Sequence, residues 1–259
     1  MQIHQLYTHN FLRNFTYLIE LANGNAIVID PWEEEGITKF LTDKNLTLMA
    51  IINTHEHWDH TQGNEALIAK HGCEVWAHTN GEGKIPGLTR MLAASEIIDL
   101  ETDVQIEVLD TPGHTFAHLC FLLIEDGTAK AVFTGDTLFN AGVGNCGNGG
   151  DAEVLYQTIS EQFYGLDDCV VVYPGHEYLE NNLRFTLSLE PQNTEAQNWL
   201  AKAIQADPAT HPLNTTVGDE RMFNAFFRLD NKIIRQAVDC NDSSDKEVFV
   251  ALRSRRDNW

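Results

Sequence analysis

Basic side chains are scarce in this chain. Its 259 residues carry 17 Lys and Arg against 38 Asp and Glu, a net charge of −21. Nucleic acid and anionic membrane surfaces need a basic footprint, so neither is an expected partner. Long apolar runs are missing too. No stretch of about 18 apolar residues is present to span a bilayer. Met1 to Leu21 lacks the basic start and apolar core of a signal segment. The five cysteines, Cys73, Cys120, Cys146, Cys169 and Cys240, have no C-x-x-C spacing. They read as free thiols of a reducing cytoplasm. Cys120 and Cys169 lie in apolar runs and read as small core residues. The glycine-rich stretch 142–150 lacks the Lys and Ser/Thr of a phosphate-binding loop. No internal repeat or low-complexity tract is present. These absences leave a cytoplasmic, monomeric protein acting on a small molecule as the expectation.

The length suits one large domain or a domain with an appendage. Short apolar runs alternate with turns over the first two-thirds. Phe15–Leu21, Ala26–Ile29, Leu48–Asn53, Cys73–Ala77, Val104–Leu109, Leu119–Ile124, Ala131–Phe133 and Cys169–Tyr173 read as strands. Asn23-Gly24-Asn25 and Glu125-Asp126-Gly127 are turn signals that make hairpins of their flanking strands. Helical patterns cover Glu35–Asp43, Asn64–Lys70 and Glu153–Phe163. Strands joined partly by hairpins and partly by helical crossovers suggest an α/β fold of two sheets with helices outside. After about residue 177 the texture becomes helical. Thr194 with Gln197 fits a capping box, and Ala196, Leu200 and Ile204 form a stripe. The expected division is 1–176, carrying the chemistry, and 177–259, a helical substrate-binding domain.

The densest signal is Thr54-His55-Glu56-His57-Trp58-Asp59-His60, which holds three of the chain's 11 histidines. His55 and His57 are two apart and project to one side of an extended segment. Asp59 and His60 follow where the chain must turn, so they can face a second point. That spacing favours two adjacent ions over one. A surface histidine cluster is the bland alternative, and three further segments argue against it. His114 in Thr111-Pro-Gly-His-Thr115, Asp136 in Thr134-Gly-Asp-Thr137 and His176 in Tyr173-Pro-Gly-His-Glu177 each follow an apolar strand beside a glycine. Alone, His114 or His176 could be an ordinary turn histidine. Together with the cassette they make a set of His55, His57, Asp59, His60, His114, Asp136 and His176. Such donors suit two divalent ions, zinc first, with iron or manganese also compatible. Asp136 is the expected bridge. Asp59 and Asp136 are the expected catalytic carboxylates, flanking a hydroxide shared by the ions.

The pattern H-x-H-x-D-H, a later His, an Asp and a final His resembles the metallo-β-lactamase superfamily. Gly135-Asp-Thr-Leu-Phe139, Gly175-His-Glu-Tyr178, Asn181-Asn-Leu-Arg-Phe185, Glu190-Pro191 and Leu252-Arg-Ser-Arg-Arg-Asp257 resemble one branch, glyoxalase II (hydroxyacylglutathione hydrolase). The resemblance implies an αββα sandwich followed by a small C-terminal helical domain. It implies one ion on His55, His57 and His114, a second on Asp59, His60 and His176, and Asp136 on both. It implies hydrolysis of S-D-lactoylglutathione to glutathione and D-lactate. Tyr178, Arg253 and Arg256 match positions that contact the glutathione moiety. Asn145 and Gly147 stand where the family has a basic residue and an aromatic one. Backbone N–H groups of that loop can still bind a carboxylate.

A thioester carbonyl is a good target for water activated by metal, and a thiolate leaves readily. Glu56 and Trp58, between the ligands, read as supporting residues. The alternatives are a persulfide dioxygenase-like oxidoreductase with one iron, and a hydrolase of the same fold acting on a thioester without glutathione.

Overall fold

The computed structural model describes residues 1–259. The first sheet takes β1 (Gln2–Tyr7), β2 (Phe15–Glu20), β3 (Asn25–Ile29), β4 (Thr47–Ile52), β5 (Glu74–His78) and β6 (Arg90–Leu92), adjacent in that order. β1 to β3 pair antiparallel, and β3 to β6 pair parallel. Parallel neighbours need crossovers. Those are α1 (Glu35–Lys44) after β3, and a short turn α2 (Trp58–Thr61) with α3 (Asn64–His71) after β4. The second sheet contains β7 (Ile97–Glu101), β8 (Val104–Asp110), β9 (Leu119–Glu125) and β10 (Thr128–Gly135). Next come a small hairpin of β11 (Leu138–Phe139) and β12 (Gly142–Val143), then α4 (Ala152–Thr158) running into a π turn at Ile159–Phe163. β13 (Val171–Pro174) returns to pair parallel with β10, giving the order β13-β10-β9-β8-β7.

Both sheets are covered on both faces, as their continuous apolar strands require. Along β3, Ile27 and Ile29 join a core between the sheets, while Ala26 and Val28 join Ile37 and Leu41 of α1 and Leu67 of α3. Along β9, Leu119, Phe121 and Leu123 face that inner core. Cys120 and Leu122 face Leu155, Phe163, Phe185, Val217, Phe226, Phe249 and Leu252. The period of two thus produces four layers, αββα.

The C-terminal helices are α5 (Leu179–Leu189), α6 (Thr194–Ala203), α7 (Val217–Phe223), α8 (Lys232–Ala237) and α9 (Asp245–Asp257). Helices α5, α7, α8 and α9 share one core with the outer face of the second sheet, while α6 packs through Ala196 in a smaller cluster with Leu179, Leu183 and Phe223. They therefore form much of the fourth layer and are not a separate lobe.

Several local expectations need correction. Cys169 is exposed, because its strand begins two residues later, at Val171. The cap of α6 is Asn193, whose side chain accepts from Ala196 N at 2.9 Å, not Thr194. Ile204 lies past the end of that helix and is 55% exposed. Strands β1, β6 and β7 had no sequence counterpart, since their polar residues break the apolar run.

Candidate metal centre

Four chain segments end at one rim of the sandwich. The cassette follows β4, His114 follows β8, Asp136 follows β10 and His176 follows β13. Glycines permit the approach. Gly135 has φ +46°, and a Cβ there would lie 2.5 Å from Thr54 Oγ1. A Cβ at Gly175 would lie 2.6 Å from Asp136 Oδ1. The His and Asp side chains can converge because these positions have no side chain.

The donors form two groups. His57 Nδ1 lies 3.0 Å from His55 Nε2 and 3.0 Å from His114 Nε2. His60 Nε2 lies 3.2 Å from His176 Nε2, and Asp59 Oδ2 lies 3.4 Å and 3.5 Å from those two nitrogens. Asp136 stands between the groups. Its Oδ1 is 3.3 Å from His60 Nε2 and 3.2 Å from His176 Nε2. Its Oδ2 is 3.5 Å from His114 Nε2. Six of the seven residues are buried, and His57 is partly so.

Each outer ring nitrogen is anchored, except that of His57. His55 Nδ1 meets Thr54 Oγ1 at 3.0 Å, and His60 Nδ1 meets Asp30 Oδ2 at 2.9 Å. His114 Nδ1 donates to Asn145 O at 2.6 Å, and His176 Nδ1 to Leu12 O at 2.9 Å. Asn14 Nδ2 donates to Asp59 Oδ2 at 2.9 Å. Such bonds fix tautomer and ring direction, leaving the inner nitrogen free to ligate. Asp30 also accepts from Thr54 N at 2.8 Å and Thr54 Oγ1 at 2.6 Å, from a left-handed backbone (φ 51°). His118 Nε2 accepts from Asp136 N at 3.1 Å, and its Nδ1 meets Thr111 Oγ1 at 2.9 Å. His118 thus orients Asp136 without joining a donor group.

The electrostatics ask for a cation. Burial pushes His55, His114 and His118 below the usual imidazole value, helped at His55 and His118 by neighbouring imidazoles. Burial also opposes a charge on His60, yet Asp136 and Asp30 override it and hold His60 well above its ordinary value. Burial raises Asp136, but His176 and His60 pull it well below the carboxylate range. Asp136 Oδ1 is buried with no hydrogen-bond partner, which costs free energy unless something else satisfies it. A divalent ion among these donors meets that need: the donor atoms gather as His55, His57 and His114, as Asp59, His60 and His176, and between those as His55, His60 and Asp136.

The centre opens into a cavity of about 490 Å³ lined by Phe11, Leu12, His57, Trp58, Asp59, His114, Asp136, Asn145, Asn148, His176 and Tyr178. Of the residues expected to hold substrate, Tyr178 and Asn145 line it. Tyr178 stacks on His176 with ring centroids 4.9 Å apart, and its hydroxyl has no hydrogen-bond partner within the chain. Burial, then Asp136, raises its phenol above the usual value. Arg256 lies half-buried between Phe185 and Trp259, 5.6 and 5.2 Å from their rings, with Nη2 3.3 Å from Asn182 Oδ1. Arg253 departs from the expected substrate contact. It is 5% exposed. Nη1 donates to Val143 O at 2.8 Å and Gly144 O at 3.1 Å, and Nε and Nη2 bond Asp257 at 3.0 and 2.8 Å. It holds the loop instead of facing the cavity. Phe11, Asn14, Asp30 and Asn148 carried no motif and were missed. Trp58, expected as support, is 53% exposed on the cavity wall beside Phe11.

No helix is long and apolar enough to cross a membrane.

Residues 9–176 match the model of the Metallo-beta-lactamase superfamily, and residues 177–259 match that of the Hydroxyacylglutathione hydrolase C-terminus. A hydroxyacylglutathione hydrolase of Polaromonas sp. is 42% identical, and one of Nitrosococcus oceani is 44% identical; each match covers all of both chains. A crystal structure of ETHE1 from Myxococcus xanthus has the same fold, with TM-score 0.70 and 24% identity over 98% of this chain and 91% of that one. The full-length identity to the first two proteins sets the family more finely than the shared fold does: this chain belongs to the hydroxyacylglutathione hydrolases, hydrolytic enzymes of the metallo-beta-lactamase superfamily.

Proposed function

We infer that this protein hydrolyses S-D-lactoylglutathione and related 2-hydroxyacyl-glutathione thioesters, releasing glutathione and the hydroxy acid, as part of methylglyoxal detoxification. One observation carries the chemistry: Asp136 turns one oxygen to each donor group, with Oδ1 toward His60 and His176 and Oδ2 toward His114. In this reading His55, His57 and His114 would hold one ion, Asp59, His60 and His176 would hold another, and Asp136 would serve both. Zinc suits the nitrogen-rich donor set first. Bound there, two divalent ions would supply Lewis-acid chemistry, lowering the pKa of a water and polarising the thioester carbonyl.

The chain's own groups do the rest. Asn14 fixes Asp59 Oδ2, so that carboxylate keeps a set direction and can take a proton from the attacking water. Asp30 keeps His60 Nε2 pointed inward through Nδ1. Trp58 and Phe11 offer an apolar wall for the substrate to cover. Tyr178, held as a neutral phenol, donates to the substrate from the other side. Asn145 and Asn148 offer amides to a peptide-like thiol. Arg256 offers positive charge near Tyr178, where an anionic tail needs it in a chain of net charge −21. We assign the chemistry to residues 1–176 and substrate support to 177–259. The unpaired cysteines suit a cytoplasmic location.

The test is a panel of thioesters, assayed with metal analysis of the same sample. S-D-lactoylglutathione should be turned over fastest, and chelation should abolish the activity. Preference for an acyl group on a different thiol would refute the glutathione assignment. Oxygen uptake with glutathione persulfide would favour the oxidoreductase alternative.

A further inference from the structure

Residues 140–144 run as a buried strap from β11 into the glycine-rich loop. The C-terminal segment holds every residue of it. Asn182 Nδ2 donates to Asn140 O at 3.0 Å. Ala141 N donates to both carboxylate oxygens of Glu220 at 3.0 Å. Asn224 Nδ2 reaches Gly142 O at 3.4 Å. Arg253 Nη1 takes Val143 O and Gly144 O at 2.8 and 3.1 Å. The next carbonyl, of Asn145, accepts from His114 Nδ1 at 2.6 Å.

The strap's path is imposed from outside. Ala141 sits at φ +63°, a conformation an L side chain adopts at a cost. A Cβ on Gly144 would lie 1.9 Å from Asp136 O and 3.2 Å from His114 Nδ1, so the strap packs directly on both residues. Glu220 is fully buried and has no cationic partner. Its other donors are Thr215 Oγ1 at 2.5 Å and Asn224 Nδ2 at 2.6 Å. Burial pushes its carboxyl up to about 7 against the pull of these donors. A buried carboxylate without a counter-charge is a poor device for stability alone. Its one backbone donor, Ala141 N, belongs to the strap that reaches His114.

We propose that Glu220 and Arg253 are positioning residues for the metal centre: they fix the strap 140–144, and through the Asn145 carbonyl they fix the tautomer and direction of His114. The C-terminal segment thereby sets the geometry of the ion held by His55, His57 and His114 as well as supporting substrate. This rests on the assignment of His114 as a ligand.

The test uses the full-length, metal-loaded protein challenged with a chelator, with release of each ion followed in time. His114→Ala identifies the phase belonging to its group. Glu220→Gln and Arg253→Met should speed that same phase by up to about tenfold, less than the roughly 10- to 100-fold cost of losing an outer hydrogen bond on a ligand outright, because the Asn145 carbonyl remains. The other phase should stay close to wild type. Arg228→Ala serves as the control. It breaks the Arg228–Glu190 pair in the same segment without touching the strap. It should leave both phases alone whatever it does to Tm. If Glu220→Gln does not fold, Arg253→Lys, which keeps the charge and loses the forked reach, carries the same expectation. Equal acceleration of both phases, or matching effects from Arg228→Ala, would overturn the proposal in favour of a purely structural role. If His114→Ala alters neither phase, the ligand assignment fails, and that result is separate from any strap variant.

Discussion

The metal end and the recognition wall of this cavity are built by opposite rules. At the metal end nearly every donor has a second bond within the chain: His55, His60 and Asp59 to the buried Thr54, Asp30 and Asn14, and His114 and His176 to the backbone carbonyls of Asn145 and Leu12. On the recognition wall Phe11 and Trp58 are 79% and 53% exposed, the Tyr178 hydroxyl is unpaired, and Arg256 has a single long bond. Catalysis by charge needs donors that do not reorganise, whereas a surface that binds a flexible thiol gains from groups still free to pair. The contrast implies that changes at the metal end lower turnover and metal content together. Changes on the wall should raise KM and leave the metals in place.

The largest expected effect is that of Asp136→Ala. Both donor groups lose their shared oxygen, and two cations are left facing each other. Turnover should fall by several orders of magnitude, with a parallel fall in bound metal by elemental analysis. Next comes Asp30→Asn, which weakens the tie on His60. Metal affinity should drop by about 10- to 100-fold, although Asp30 touches neither ion nor substrate in this account. Chelator competition measures it. If the affinity held, the outer tie would not matter and the comparison would break at its stiffer side.

On the recognition wall, Arg256→Ala should cost about tenfold in kcat/KM, the lower end for a charge-assisted contact because the group is half-exposed. The loss should appear in KM and shrink with added salt. Tyr178→Phe should cost roughly 2- to 10-fold, one neutral hydrogen bond, again in KM. Arg255→Ala should be nearly silent. Its Nη1 bonds Ala237 O at 2.5 Å on an exposed face, away from the cavity. A turnover defect in any of these three would mean that the wall and the metal end are coupled in a way the geometry does not provide.

The same contrast explains what could be read from the chain. The convergence of the seven donor residues was legible because geometry compresses them: one short segment after a strand carries four, and the others each follow a strand beside a glycine. Strands with both faces buried, such as Leu119–Glu125, announce themselves as unbroken apolar runs. Asp30 and Asn14 gave no signal. An aspartate after a strand and an asparagine in a turn are common, and only the folded chain brings them beside residues 24 to 45 positions away. Arg253 shows the converse. Its place in a basic cluster pointed toward an anionic substrate, yet its carbonyl partners lie 109 and 110 residues back along the chain, and no local pattern encodes them. The helical segment was recognised as helical, but its role as the fourth layer depends on a core shared with the second sheet.

Two ions should sit in this protein, one per donor group, with Asp136 between them. Anomalous diffraction from crystals of the metal-loaded protein tests this most directly. Two peaks about 3.5–4 Å apart are expected, one within bonding distance of His55, His57 and His114, the other of Asp59, His60 and His176, each near one oxygen of Asp136. A single peak at full occupancy, or a second peak bound by other residues, would contradict it.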